Sequence, residues 1–362
     1  MTALDSKQLV VVALAFFLPI LLYLYYNRKP TKSSAGPLPP PTEITDIFIH
    51  PIKSCHYLTV KSAKLLPTGL DLDRHWMWVS YPELEFQTIR QNSKMTLIRP
   101  IYDAKTDTLT VTAPAPDSID EKLQFSIPAH PTQEWLTKNT ELTDAKIWGK
   151  ETPAHAYSTD LTGPFNKFFG KEVRLVYKSP LFDTPRKLAS NGAENLLGRP
   201  ASTCFPDMMP ILVGCESSIN ELNSRIRANN EDITIDMHRF RPNIIVKGNK
   251  PWDEDRWKTL RIVPKAGSKS ATQEFVLDVT QRCARCQVPN VDPESAEKHK
   301  RQPWDTLMKY RRVDEGITYK PCFGMLCVPR GEGGNVEVGM KLEVTEVTDQ
   351  HSMDRKHEQN PP

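Results

Sequence analysis

The sequence predicts an α+β fold, mostly antiparallel β structure with a few packed helices, held behind one membrane-spanning helix. Thirty-one prolines against sixteen glycines in 362 residues imply frequent turns and short strands. Runs rich in β-branched and aromatic residues recur at 44–49, 57–65, 75–80, 108–113, 173–177, 244–246, 260–263 and 336–344, with turn residues between them. Helix signals are few.

Residues 9–26, LVVVALAFFLPILLYLYY, carry no charge and lie between Lys7 and Asn27-Arg28-Lys29. That is the short end of a membrane-spanning helix. Asp5 and the lack of a small-residue cleavage site argue for a retained anchor rather than a signal peptide. The basic residues after it place the rest of the chain on the cytosolic side. Residues 1–29 are thus read as anchor and 30–42, PTKSSAGPLPPPT, as a Pro/Ser linker. Farther on, the KTD of AKTDTLTV turns one strand into the next. Ser218 and Glu221 have capping-box spacing and open an amphipathic segment that ends near Asn229-Asn230. Pro303 suits the first position of a helix over PWDTLMKYRR. A domain boundary falls near 165–185, and the polar residues 349–362 read as a disordered tail.

Composition narrows the function classes. With 39% hydrophobic and 25% charged residues the chain is ordinary globular material. A net charge of +3 without a Lys/Arg block gives nucleic acid no electrostatic footprint. Seven scattered cysteines, an odd number, do not form a secreted disulfide framework. A reducing compartment follows, and the thiols are candidates for metals or chemistry.

The segment QRCARCQVPNVDP, 281–293, spaces Cys283 and Cys286 as a zinc knuckle would, and Cys322 and Cys327 offer a second pair. Four strand-like residues, FGML, separate that second pair, which is unusual for a knuckle. A redox dithiol needs a following helix, and Pro289 and Asp292-Pro293 come too early for one. One thiolate on a soft, redox-active metal remains, with Arg282 and Arg285 placed to favour the thiolate and attract an anionic cofactor. On these thirteen residues an inert buried cysteine is equally open. Elsewhere FIHPIKSC (48–55) places Lys53 and Ser54 after a strand, GLDLDRHWMWVS (69–80) places Arg74 before one, and HRFRPNIIV (238–246) sets Arg239, Arg241 and Asn243 at the entrance of another. Such groups, if they converge, suit a phosphate or a pterin-like ring through charge-assisted hydrogen bonds. His50, His56, His75 and His238 lie beside these motifs, where structural hydrogen bonding is the ordinary role.

PIKSC, GLxxDRxW, FRPNI and CxRC followed by VDP, in this order from about residue 43 to about 346, resemble the MOSC family, the molybdenum cofactor sulfurase C-terminal domains. With a membrane anchor, the chain is most similar to that family's amidoxime-reducing branch. The resemblance implies a β-barrel-rich MOSC fold: an N-terminal β-barrel-like domain, 43–178, on a MOSC domain, 179–348, with a molybdopterin-type molybdenum cofactor between them. It implies Cys286 as the metal ligand with Cys283 a spare neighbour. Lys53, Ser54, Arg74, Arg241 and Asn243 match cofactor-binding positions, with Arg285 beside the ligand. Asp207 matches a family carboxylate with a claim to catalysis. Two departures stand out: Asp207-Met208-Met209-Pro210 replaces Asp-Thr-Ser-Pro, and Pro289-Asn290 replaces a Thr-Thr pair.

The implied reaction is two-electron reduction of N-hydroxylated compounds, with electrons from cytochrome b5 and its NADH-dependent reductase, since no haem or flavin motif is present. The mitochondrial outer membrane is the expected location, with the endoplasmic reticulum as alternative. Two other readings stand: a cofactor carrier or sulfurase, whose pyridoxal-phosphate domain this chain has no room for, and a membrane-anchored domain with structural zinc.

Overall fold

The computed structural model describes residues 36–118, 120–264, 274–331 and 333–351. The anchor and most of the linker expected from sequence lie outside them; among the described residues no helix is long and apolar enough to cross a membrane. From Pro37 onward the chain forms one compact unit.

Seven strands close a barrel: β1 (Thr42–Ile49), β2 (Ile211–Cys215), β3 (Ile244–Val246), β4 (Trp257–Val263), β5 (Phe275–Ala284), β6 (Cys322–Pro329) and β7 (Lys341–Val347). Around the barrel the order is β1, β3, β2, β6, β5, β4, β7 and back to β1. Only β2 and β3 run parallel in this ring. Closure leaves no unpaired edge, and every second side chain turns inward. Ile211, Val213, Cys215, Leu260, Ile262, Leu277, Val279, Met325, Cys327, Leu342 and Val344 accordingly share one core at that period of two. The closing strand β1 comes from far earlier in the chain than its partners.

Two further antiparallel sheets come from the first half of the chain. One joins Trp76–Ser80, Val173–Tyr177, Lys150–Tyr157 and Thr140–Ile147; the other joins Arg99–Asp103, Thr108–Pro114 and Lys122–Pro128. Trp78 packs between Phe165 and Phe169, with centroids 5.0 and 5.1 Å away.

Several sequence expectations need correction. The run 57–65 is two strands, Leu58–Val60 on β1 and Ser62–Leu66 on Asn335–Glu337, because the chain leaves one sheet to complete another. Likewise 336–344 divides at a turn through Gly339, φ +85°. The helix expected to open at Ser218 spans Glu216–Ala228, since β2 feeds it directly through Cys215. Ser218 then lies in its first turn, and its hydroxyl accepts from the Trp252 amide at 2.8 Å. Pro303 is the N-cap of the helix Trp304–Tyr310. The tail is ordered at least to His351, which is buried, with its imidazole against the Trp257 carbonyl and its own carbonyl held by Arg282.

Candidate cofactor site

After β1 the chain turns sharply, and Ser54 takes a left-handed conformation, φ +67°. The turn drives the Lys53 side chain inward, where its ammonium donates to the Phe205 carbonyl at 3.0 Å and to the Asp207 carboxylate. Burial pulls Lys53 down to about 8, against the opposing pull of Asp207. At Asp207, burial pushes the carboxyl up but is outweighed by Lys53, Arg74 and Arg90, which hold it at about 2. The Asp207 side chain is nonetheless 63% exposed. A carboxylate ringed by protein yet open to solvent is lining a cleft.

Two arginines from distant segments meet beside it. Arg74 and Arg241 are both left-handed, φ +56° and +57°, as side chains rarely are outside functional or tightly constrained positions. The Arg74 guanidinium pairs with Asp73 and donates to the Arg241 carbonyl at 3.2 Å. Asp73 also accepts from the His50 amide at 2.8 Å, and its carboxyl, raised by burial but lowered more by Arg74 and His50, stays at about 2. Arg241 reaches the Cys55 carbonyl with Nη1 at 2.8 Å, while its buried Nη2 has no partner among the described residues. Burial, reinforced by neighbouring Arg74, weakens Arg241's hold on its proton to about 9. Arg186, which the sequence reading missed, adds a fourth cation, anchored to the Cys204 and Pro206 carbonyls. Lys53, Arg74, Arg186 and Arg241 thus outnumber Asp73 and Asp207 in a largely buried space. Such an excess with an orphaned guanidinium nitrogen fits an anionic ligand.

Cys283 lies within the field of the Asp207 carboxylate, which brings the thiol loop toward this cluster. Cys286 follows the end of β5, half-exposed, with no hydrogen-bond partner among the described residues. Cys283 packs with Met208 against the apolar cluster of Leu188, Met209, Leu212, Leu326 and Val328, and its sulfur accepts from Arg285 Nη1 at 2.9 Å. Burial raises the Cys283 thiol; Arg285 opposes this. Arg285 also donates to the Phe240 carbonyl at 2.8 Å, tying the thiol loop to the turn that carries Arg241. Both of its terminal nitrogens are therefore engaged by protein, while its buried Nε has no partner among the described residues. Arg282, expected beside the thiols, instead lies 3.8 Å from Asp255 and reaches His351.

Other expected residues have quieter places. The Asn243 carboxamide accepts from the Leu212 amide at 3.1 Å and donates to the Phe48 carbonyl at 3.3 Å, joining β2 to β1. Ser54 is half-buried and its hydroxyl has no partner among the described residues. Met209 is buried and Met208 half-buried against an apolar cluster, at the departure from Asp-Thr-Ser-Pro noted in the sequence. Asn290 accepts from the Trp304 amide at 3.1 Å and donates to the His299 carbonyl at 3.0 Å, bracing the loop after the thiols. Four-cysteine zinc is ruled out by register: Cys322 faces Ala284 whereas Cys327 faces Val279. Five residues along a strand span about 16 Å, too far for sulfurs that must each lie about 2.3 Å from one ion. A surface cavity of about 750 Å³ lined by Glu231, Asp236, Arg239 and Arg301 among others lies apart from the Lys53 cluster and holds its charges in ion pairs such as Arg301 to Glu231.

A family model described as the MOSC domain matches residues 200–343, and one described as the MOSC N-terminal beta barrel domain matches 42–171. The chain belongs to the MOSC family. It is 28% identical over 312 residues to a molybdenum cofactor sulfurase of Oryza sativa subsp. japonica, covering 83% of this chain and 34% of that protein. It is 27% identical over 291 residues to mitochondrial amidoxime-reducing component 1 of Xenopus laevis, covering 78% and 76%. Against mitochondrial amidoxime reducing component 2 of Homo sapiens the figures are 28%, 291 residues, 78% and 77%. The chain thus spans about a third of the sulfurase and about three quarters of the other two.

Both matched segments build the pocket. Lys53 and Arg74 come from the N-terminal one, Asp207 and Arg241 from the MOSC domain, and Arg186 from the stretch between. Strand β1, inside the N-terminal match, closes the MOSC barrel. The donor set suits the molybdenum cofactor associated with this family: cations and an unpartnered Arg241 nitrogen for a phosphate, and an accessible thiol for a soft metal.

Proposed function

We propose that the protein is a membrane-anchored, molybdenum-cofactor-dependent reductase of N-hydroxylated compounds such as amidoximes and hydroxylamines. The observation that carries this reading is the cluster of Lys53, Arg74, Arg186 and Arg241, in which the Arg241 guanidinium has a buried nitrogen without a partner among the described residues, in a chain that also presents a half-exposed Cys286 thiol. When bound, the cofactor supplies two-electron chemistry at its metal. The remaining work falls to the chain. Cys286 would hold the metal, Lys53, Arg241, Arg74 and Ser54 would hold the phosphate and pterin, and Arg285 fixes the loop that presents the thiol. Lys53 and Asp207, paired at the cleft, set its charge and orient polar groups of the substrate. In balance, R–NH–OH takes two electrons and two protons to give R–NH2 and water. The electrons come from an external one-electron donor, for which cytochrome b5 and its NADH-dependent reductase are the proposed source. An anchor in the mitochondrial outer membrane would raise their effective concentration.

The test is metal analysis of the full chain, purified in detergent from a host that makes the cofactor, followed by benzamidoxime turnover with cytochrome b5 and its reductase. Near-stoichiometric molybdenum and benzamidine formation support the reading. Molybdenum without turnover points to a carrier, in keeping with the similarity to a sulfurase. Zinc in place of molybdenum overturns both.

A further inference from the structure

Trp148 occupies a position where tryptophan is unfavourable. Strands Thr140–Ile147 and Lys150–Tyr157 are joined by two residues, Trp148 at φ +52° and Gly149 at φ +68°. These are the paired left-handed positions of a tight hairpin turn, where Asn, Asp or Gly is preferred. A bulky aromatic residue there is a steric outlier, and outliers held by their surroundings concentrate at functional sites.

The surroundings hold this one from three sides. Its indole Nε1 donates to Asp207 Oδ1 at 3.2 Å. The Arg90 guanidinium lies over the indole at 4.6 Å, and Phe86 meets it edge-on at 4.5 Å. Lys53, the other partner of Asp207, stands 5.6 Å over the Phe86 ring. The hairpin tip thereby reaches the one exposed carboxylate of the pocket. A ring serving only as an apolar staple would not need its N–H directed at a carboxylate, nor the left-handed turn position.

We propose that Trp148 is a positioning residue of the site: its indole N–H sets the Asp207 carboxylate against Lys53, and Arg90 clamps the indole in place. The inference deepens the reductase reading and rests on it for its catalytic consequence. Losing the donor destabilises the charged carboxylate, so the Asp207 titration moves upward.

Two variants test this in the full chain. Trp148→Phe keeps a ring and removes the N–H; Trp148→Gly also removes the N–H and suits the turn. In the cofactor-free protein, the Asp207 carboxyl is titrated by 13C NMR, with its signal assigned by its loss in Asp207→Asn. A midpoint raised by about half a pH unit or more in both variants is expected; an unchanged midpoint overturns the proposal. Thermal midpoints supply the second readout. Retention within about 2 °C in Trp148→Gly is expected, whereas a large fall with an unmoved Asp207 titration identifies a structural staple and overturns it. In the loaded enzyme, kcat per molybdenum falls about tenfold with KM little changed and metal content retained, as expected of orientation lost at the reacting centre. A wild type without molybdenum or turnover sinks the reductase reading alone, because the carboxyl titration still decides the role of Trp148.

Discussion

The guanidinium of Arg74 donates to the main-chain carbonyl of Arg241 at 3.2 Å, joining residues 167 apart in sequence and both in the left-handed conformation. Each arginine lies at a turn beside a strand, and together they concentrate like charge in a largely buried space. Such an arrangement is stable only with counter-charge, which Asp73 and Asp207 supply in part.

Cys286→Ser should abolish molybdenum binding and N-reduction while the fold persists. The thiol is half-exposed and without a hydrogen-bond partner among the described residues, so the stability change should stay within about 0.5 kcal/mol. Metal analysis and a thermal melt on the same sample check both halves, and retained activity would refute the assignment.

Cys327→Ser should do the reverse. This thiol is buried in β6, where it reaches the Met325 carbonyl at 3.6 Å inside the barrel core. A hydroxyl there should lower stability by about 1–2 kcal/mol and leave molybdenum content and turnover per metal unaltered. Chemical denaturation with metal analysis separates the two effects.

Asp73 makes stability depend on acid. Its folded carboxyl is held at about 2, below the ordinary carboxylate range, because Arg74 and His50 outweigh burial. A depressed carboxylate stabilises the fold above the unfolded value and loses that contribution as pH falls through the folded one. The window is therefore about pH 4 down to 2, with an amplitude on the order of 2 kcal/mol. Asp73→Asn should flatten the stability profile there and destabilise the protein at neutral pH by leaving Arg74 unpaired, as urea melts across pH 2–7 would show.

Lys53 predicts the alkaline limb. Burial holds its ammonium at about 8, so in the cofactor-free protein its charge is present below that pH and lost above it. Because the fold disfavours the charged amine, stability should rise with pH between about 8 and 10.5. Affinity for a phosphorylated pterin should fall over the same range as the cation disappears. Lys53→Arg should remove that fall, measured by cofactor titration between pH 7 and 10.

The pattern of β-branched runs and turn residues made much of the barrel legible in the sequence, and β3 and Val173–Tyr177 have the bounds the pattern suggests. Strands such as Lys122–Pro128 escaped because their exposed face is polar and their inward residues few. The four ordered motifs pointed to Lys53, Arg74, Arg241 and Cys286 by residue type, whereas Arg186, Arg90 and Trp148 carry no comparable signal. Only the Trp-Gly pair between two strand-like segments hinted that an aromatic residue stands at a tight turn.

The sequence by itself determined which residues could carry chemistry and that short antiparallel strands would present them, because residue type and local periodicity act over a few neighbours. Tertiary structure decided what each of them does. It left one buried guanidinium nitrogen each of Arg241 and Arg285 without a partner among the described residues, engaged Asn243 with a protein amide and carbonyl, and brought a hairpin tip to Asp207. These outcomes depend on strand register and on which buried polar groups find partners, and both are fixed only when segments distant in sequence, from 45 to 195 residues apart, come together.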